Sequence, residues 1–451
     1  MKKKIPGILI CLAALVLFTI IYYYKVKSYY DEVMDYSGYY VEDFTEEIKE
    51  ENNRAIENET EYRKLLESSG DEADGELKDT QGLDGSSEDN AEDIKEVKDI
   101  KLHASSALLL DAGNNRVLYE KNGYDEMPMA STTKIMTCIV TLENADLEDI
   151  VTVSSYAARM PDVQLNIRTG EQYYLKDLIF SLMLGSHNDV AVAIAEHVGG
   201  SVEGFSTMMN DKARALGCYN TNFVTPNGLD AEGHYTTARD LAVIASYAIK
   251  NKKFVEITNT ASHQFQELIN NRKFSVTNKN KFLYMMEGAI GVKTGFTGEA
   301  GYCFVGAIAS EDRTLISIVL GCGWPPNKSL KWSDTKQLMN YGIKNYEKRQ
   351  IFDDAGLEPV PVRDGQIKQV SLKVDGNLSL LMREDETVHI DYDIPDALDA
   401  PINAQKVIGS AKYYINNMLY AELPIYTMDE VKRIDYRFCF DRILNLWGLL
   451  N

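Results

Sequence analysis

Residues 31–100 carry 25 Asp and Glu against 7 Lys and Arg, a net charge of −18 in a chain whose total is −21. A segment so charged repels itself and cannot bury enough apolar surface to offset its ordering entropy. The fold is therefore expected to begin beyond it, near Leu102. The acidic stretch reads as a spacer, Glu-rich and able to form a solvated helix over Val41 to Leu66, disordered from Ser68 to Asn90 where Ser, Gly, Asp and Glu dominate. The segment before it has the opposite character. Lys2, Lys3 and Lys4 lead into Ile5–Tyr24, an uncharged run that at the helical rise spans about 30 Å, the thickness of a bilayer core. No A-x-A-like cleavage site follows it, only Tyr22-Tyr23-Tyr24-Lys25, which favours an uncleaved anchor over a signal peptide. The Lys cluster would remain inside, giving a single-pass cell-membrane protein (anchor 1–30, spacer 31–100) with everything beyond residue 30 outside the cytoplasm.

Beyond the spacer, Ala130-Ser131-Thr132-Thr133-Lys134 places a hydroxyl and an amine one helical turn apart. At i and i+3 they share a face, so the amine can take the hydroxyl proton. Serine is a poor nucleophile at neutral pH until a neighbouring base activates it. Such a lysine must be neutral, which requires its pKa to fall about three units through desolvation or a nearby cation. Ser-x-x-Lys alone says little, since average usage gives about one or two per chain of this length. Ser333-Asp334-Thr335-Lys336 is a second instance, and its plain reading is an N-cap serine opening a helix over Ser333 to Tyr346. The first instance has company: Ser186-His187-Asn188 and then Lys293-Thr294-Gly295 follow it in order.

Local patterns place these motifs. Ser106 to Leu110 and Arg116 to Glu120 flank Asp111-Ala112-Gly113-Asn114-Asn115, a hairpin signal. Ile135, Met136, Ile139 and Val140 give the Ser131 helix a buried face, and Ser186 falls at a break between two helical patterns. Lys293 precedes strand-like Tyr302 to Ala309 and Arg313 to Leu320, so it is expected on or beside a sheet strand, where its charge could also depress Lys134. Thr225-Pro226-Asn227-Gly228-Leu229-Asp230 reads as a turn and Thr237-Ala238-Arg239-Asp240 as a capping box, both assigned to scaffold.

The ordered trio Ser-x-x-Lys, Ser-x-Asn and Lys-Thr-Gly occurs in penicillin-binding proteins and class A β-lactamases. With the connecting stretches Gly185 to Ala195, Met209-Asn210, Leu216-Gly217, Pro226 to Asp230 and His234 to Asp240, the region Ala107 to Tyr346 resembles the serine D-alanyl-D-alanine carboxypeptidases, the low-molecular-mass penicillin-binding proteins. The resemblance implies an α+β fold: a β-lactamase/transpeptidase-like domain, with an antiparallel sheet flanked by helices and a mostly helical subdomain, over 101–350. A small β-rich domain would follow over 357–428, with Val360 to Val362, Gln369 to Val374, Leu378 to Met382, Thr387 to Tyr392 and Lys412 to Glu422 as strands. The resemblance also implies roles. Ser131 would attack the carbonyl between two terminal D-alanines of a peptidoglycan stem peptide, with Lys134 as base and Ser186 as proton relay. Asn188 would hold the substrate amide, and Lys293, Thr294 and Gly295 the terminal carboxylate. The N–H groups of Ser131 and Phe296 would form the oxyanion hole. β-Lactams would acylate Ser131, and neither metal nor organic cofactor would be required. His187 departs from the small residue usual at that position and is expected to point away from the cleft.

Residues 429–451 plot as an amphipathic helix, with Tyr436, Phe440, Ile443, Leu446, Trp447 and Leu450 on one side. Such a helix lies in a membrane interface or docks on its own domain. Cys303 and Cys322 sit at mirrored distances from a turn, so a disulfide is conceivable. No Cys/His spacing suggests a metal, and the acidic balance with no basic patch excludes nucleic acid. Two other readings stay open. A class A-like β-lactamase would need a deacylating Glu, and Glu196, Glu203 and Glu232 lack a matching context. A non-catalytic peptidoglycan-binding protein would have no use for an activated nucleophile. Water as sole acyl acceptor, as against a second amine, is not decided by the residues.

Overall fold

A computed structural model describes residues 100–446 apart from 353–356, 375 and 377. The expected anchor, all but the last residue of the spacer, and Trp447 to Asn451 lie outside them. The chain enters through β1 (Ser106–Asp111) and β2 (Arg116–Lys121), the expected hairpin. Then come α1 (Lys134–Asn144), the short ladder of β3 (Ile150–Thr152) and β4 (Gln172–Tyr174), α2 (Leu175–Phe180), α3 (Asn188–Gly199), α4 (Val202–Ala215), α5 (Ala238–Ala248) and α6 (Lys252–Asn259). A hairpin of β5 (Ser262–Gln266) and β6 (Lys273–Thr277) precedes the meander β7 (Ala289–Thr297), β8 (Gly301–Ala309) and β9 (Thr314–Leu320), closed by α7 (Leu330–Asn345).

The main sheet is antiparallel in the order β2-β1-β9-β8-β7, so β7 is an edge. Side chains alternate between its faces. Leu108, Leu110, Val305, Ala307, Ile316 and Ile318 join a core shared with α1, α3 and α5, whereas Leu109, Phe304, Leu315 and Val319 face Leu338 and Met339 of α7. Both faces are covered, which is why these strands read as unbroken apolar runs. Thr237 caps α5 by accepting from Asp240 N–H, as expected, and Ser201 caps α4. The second Ser-x-x-Lys differs from expectation. Helix α7 starts at Leu330, so Ser333 lies within it, and its neighbour Asp334 is buried, accepting from the N–H groups of His103 and Ala104.

The C-terminal portion is β-rich and has its own apolar core, including Val360, Val370, Leu380, Ala411, Tyr413 and Ile425. The run expected as one strand over Lys412 to Glu422 is a hairpin of Val407–Ile415 and Met418–Thr427. Its two-residue turn, Asn416-Asn417, has φ of 49° and 67°, the left-handed pair that a tight hairpin requires and asparagine tolerates. The last helix begins at Tyr436 rather than 429, capped by Asp435, because Val431 and Arg433 are still bridged to Ile402 and Gly365 of the β-rich core. No described residue of that helix is buried. Cys303 and Cys322 are free buried thiols, Cys322 Sγ lying 3.3 Å from a carboxylate oxygen of Asp334, so the conceivable disulfide is absent.

Glu347–Gln350 pairs with Ser379–Met382 at the junction of the two portions, and Leu381 is buried in the α7-side core of the main sheet. Arg116 donates to Leu381 O and pairs with Glu386, with side-chain exposures of only 11% and 8%. Breaking a buried pair leaves the partner charge stranded, at about 3 kcal/mol. Arg116→Ala is therefore expected to lower unfolding stability by about that amount in urea titration, and an unchanged midpoint would contradict the junction's role.

Candidate active site

The Ser131 segment is a single 3-10 turn, Ala130–Thr133, running directly into α1. This puts Lys134 Nζ 3.0 Å from Ser131 Oγ. The amine also donates to Asn188 Oδ1 at 2.8 Å and to the carbonyl of Asn227. Lys134 is fully buried, and desolvation, then the Lys293 charge, hold its pKa well below the usual lysine value. A neutral amine has two protons and one lone pair. Two neighbours, an amide oxygen and a carbonyl, can only accept, so both protons are committed to them. The lone pair is left for the third neighbour, the Ser131 hydroxyl.

The second motif is presented by irregular backbone. After α2 the chain makes a π-helical turn, Ser181–Gly185, and Ser186 adopts a left-handed conformation with φ 65° before α3 starts at Asn188. Strain of this kind persists where the surroundings over-determine it. His187 is part of that surrounding. Its ring lies across Gly185, where an added Cβ would come within 2.1 Å of it, and Nδ1 is 2.7 Å from Ser181 Oγ. Burial, then the lysines Lys279, Lys134 and Lys293, push its pKa down to about 3, so it adds no charge at neutral pH.

The third motif lies on edge strand β7. Lys293 Nζ donates to Ser186 Oγ and to Thr294 O, both at 2.9 Å. Burial, then Lys279, bring its pKa to about 7. Gly295 sits against the Ser131 turn: a Cβ there would be 3.0 Å from Ser131 N, so glycine permits the strand to approach it. The Phe296 side chain is 43% exposed and tilted against Tyr302. All three motifs thus converge, with Ser131, Lys134 and Asn188 in one hydrogen-bonded group and Ser186, Lys293 and Thr294 in another.

Three contributors escape a reading of the sequence by residue type. The Asn227 carbonyl, in a turn expected to be scaffold, holds Lys134. A carbonyl is common to every residue, so no side chain announces it. Lys279 donates to Gly185 O and contributes a third cation, without a motif to mark it. Asp189 accepts from the N–H groups of Leu165, Asn166 and Ile167, fixing the loop whose Val163 and Pro161 carbonyls accept from Asn188. Among the described residues no glutamate hydrogen-bonds to Ser131, Lys134, Ser186 or Asn188. Glu196 and Glu203 instead line a cavity of about 540 Å³ with Ile150 and Tyr156.

Comparison with known proteins agrees with this geometry. Residues 92–323 match the family described as D-alanyl-D-alanine carboxypeptidase, and 346–433 match the penicillin-binding protein 5 C-terminal domain. The D-alanyl-D-alanine carboxypeptidase DacF of Bacillus subtilis is 29% identical over 365 residues, 79% of this chain and 93% of that protein. The D-alanyl-D-alanine carboxypeptidase of a Streptomyces species, strain K15, is 33% identical over 250 residues, 52% of this chain and 85% of that protein. The crystal structure of penicillin binding protein 5 from Haemophilus influenzae superposes with a TM-score of 0.63 at 27% identity, covering 75% of this chain and 100% of that one. The chain belongs to the serine D-alanyl-D-alanine carboxypeptidases of the low-molecular-mass penicillin-binding protein type, and its function is that of a DD-carboxypeptidase.

Proposed function

We propose that Ser131 is the nucleophile that removes the terminal D-alanine from peptidoglycan stem pentapeptides, and that Lys134 is its base. The observation that carries this reading is the Lys134 hydrogen-bond set, which leaves one lone pair facing the Ser131 hydroxyl. Ser131 Oγ attacks the carbonyl between the two D-alanines as its proton passes to Lys134 Nζ. The developing oxyanion is held by the N–H groups of Ser131 and Phe296. Phe296 and Thr294 share one edge of β7 by two-residue alternation, and Thr294 O already turns to Lys293 Nζ on that edge.

Lys293, with Thr294 and the close approach at Gly295, receives the substrate's terminal carboxylate. Ser186, bonded to Lys293, delivers a proton to the leaving D-alanine amine and takes up in its place the proton that Lys134 received from Ser131, which returns Lys134 to its neutral form. Water then attacks the acyl-enzyme with Lys134 again as base, releasing the shortened peptide. Asn188 orients Lys134 through Oδ1 and gives its amide to the incoming peptide once the loop bond to Pro161 O is exchanged. Penicillins follow the same path as far as the acyl-enzyme.

The same reading extends to the whole chain. Residues 1–30 anchor it as a single-pass membrane protein and 31–100 hold the 101–350 catalytic domain away from the extracytoplasmic face. The β-rich domain over 357–428 follows, and the terminal helix meets lipid. Support for the last point is exposure: Tyr436 and Leu446 are 84% and 79% exposed. Among the described residues no helix is long and apolar enough to cross a membrane, and the run 5–24 lies outside them.

Intact mass of the full chain after incubation with benzylpenicillin is expected to show a one-to-one adduct, absent in Ser131→Ala; rapid hydrolysis without an adduct would favour a β-lactamase instead. Acidification protonates Lys134 and removes its lone pair, so the acylation rate should fall on the acid side. Above about pH 7 Lys293 loses the charge that meets a carboxylate, so the rate should fall there too, the two limbs belonging to the coupled amines together. A flat profile from pH 5 to 10 would contradict both roles. Finally, deleting 1–30 together with 436–451 should reduce binding to anionic lipid vesicles below that of the 1–30 deletion, and equal binding would remove the terminal helix from the membrane account.

A further inference from the structure

His234 lies outside the three motifs and Thr133 fills a variable position of the first, yet both are buried. We propose that His234 is a positioning residue for acylation: its imidazole couples the turn carrying Ser131 to the loop carrying the Asn227 carbonyl, and so sets the Ser131–Lys134 geometry. The proposal rests on Ser131 as nucleophile and Lys134 as base.

The ring's proton can be placed from its neighbours. Nδ1 faces two backbone donors, Val224 N–H at 3.0 Å and Thr225 N–H at 3.4 Å, so it is the acceptor. A neutral imidazole then carries its hydrogen on Nε2, 2.8 Å from Thr133 Oγ1. Thr133 accepts that hydrogen and passes its own to Ala130 O at 2.8 Å. The imidazole thus accepts from the loop and donates to the turn, joining segments about ninety residues apart in sequence.

The turn needs fastening. Ala130, just before the nucleophile, has φ 48°, a region that side-chain-bearing residues disfavour. Its carbonyl is held by Thr133 Oγ1 on one side and closely packed by Gly228 on the other, where an added Cβ would come within 2.0 Å. The loop then follows α1: Pro226 O accepts from Thr137 Oγ1 at 2.6 Å and Asn227 O from Lys134 Nζ. His234 pins the start of this rail to the turn it serves. A misplacement of about 1 Å at reacting atoms is enough to lower a rate about a hundredfold.

A histidine that merely filled the core would affect stability without touching the chemistry, and substitutions separate the two. Gln presents an N–H near the Nε2 position and keeps the Thr133 bond, while losing the loop's acceptor. Asn does the reverse. Thr133→Val removes the link from the other side, and Thr133→Ser preserves it. In the full-length protein, the second-order rate of acylation by a fluorescent penicillin should fall at least about tenfold in His234→Gln, His234→Asn and Thr133→Val. The acid limb of the rate profile should move, because Asn227 O is a partner of Lys134, and Thr133→Ser should recover to within about threefold of wild type. Rates within threefold of wild type in Thr133→Val and in the folded His234 variants, or losses that follow Tm with the acid limb unmoved, would overturn the proposal. If neither His234 variant folds, the Thr133 pair decides. Wild-type protein that acquires no adduct on Ser131 by mass would instead overturn the underlying assignment of the nucleophile, a result distinct from any variant's loss.

Discussion

A buried amine with no carboxylate bonded to it is the constraint around which this active site is built. Lys134 and Lys293 are both withdrawn from water, with Lys279 nearby, and among the described residues the acid that acts on Lys134 is Asp189, whose oxygens are occupied by four backbone N–H groups. In a protein interior such amines relieve the cost of burial by giving up protons. The site is arranged so that doing so makes a base. Acceptor-only oxygens absorb the remaining N–H bonds, and the unsatisfied lone pair is aimed at a hydroxyl. A donor in place of the Asn188 amide oxygen would turn the same lysine away from Ser131.

Much of this is legible in the order of side chains and little in the order of backbones. The three motifs could be found because a hydroxyl, an amine and a glycine at fixed spacing are chemical statements in themselves, and the strands around Lys293 because their apolar runs are covered on both faces. The Asn227 carbonyl was hidden because the sequence marks a turn there and says nothing about which amine its backbone will meet. Asn416-Asn417 hid a hairpin for a related reason: a two-residue turn without Gly or Pro does not interrupt the strand pattern. The α7 start differs from the expected Ser333 because a cap-forming residue inside a helix looks the same in the sequence as one at its end. The helix has already begun at Leu330, and Asp334, bound to His103 and Ala104 N–H, lies within it.

Among the described residues eleven non-glycine residues have positive φ, eight of them Asn or Asp, and two of the other three lie at the candidate site. Ala130 and Ser186, non-glycine residues with positive φ, stand immediately before Ser131 and at the first position of the second motif. Each is clamped by a neighbour that only a small residue permits: Gly228 against Ala130, and Gly185 beneath the His187 ring. The regular elements supply the stability, and these two sites use part of it to hold hydroxyl groups in positions that an uninterrupted helix would not offer.

Strand β7 ends its sheet, and an exposed sheet edge is ordinarily an invitation to pair with any extended chain. Here the edge carries a buried amine, Lys293, beside its open hydrogen-bonding groups. Charge placed inside an edge is one of the devices by which natural sheets avoid sticking to each other. The protein can therefore leave this edge open without becoming a seed for aggregation: the middle of another strand would bring the buried amine no counter-charge, whereas a chain end carrying a carboxylate would supply one.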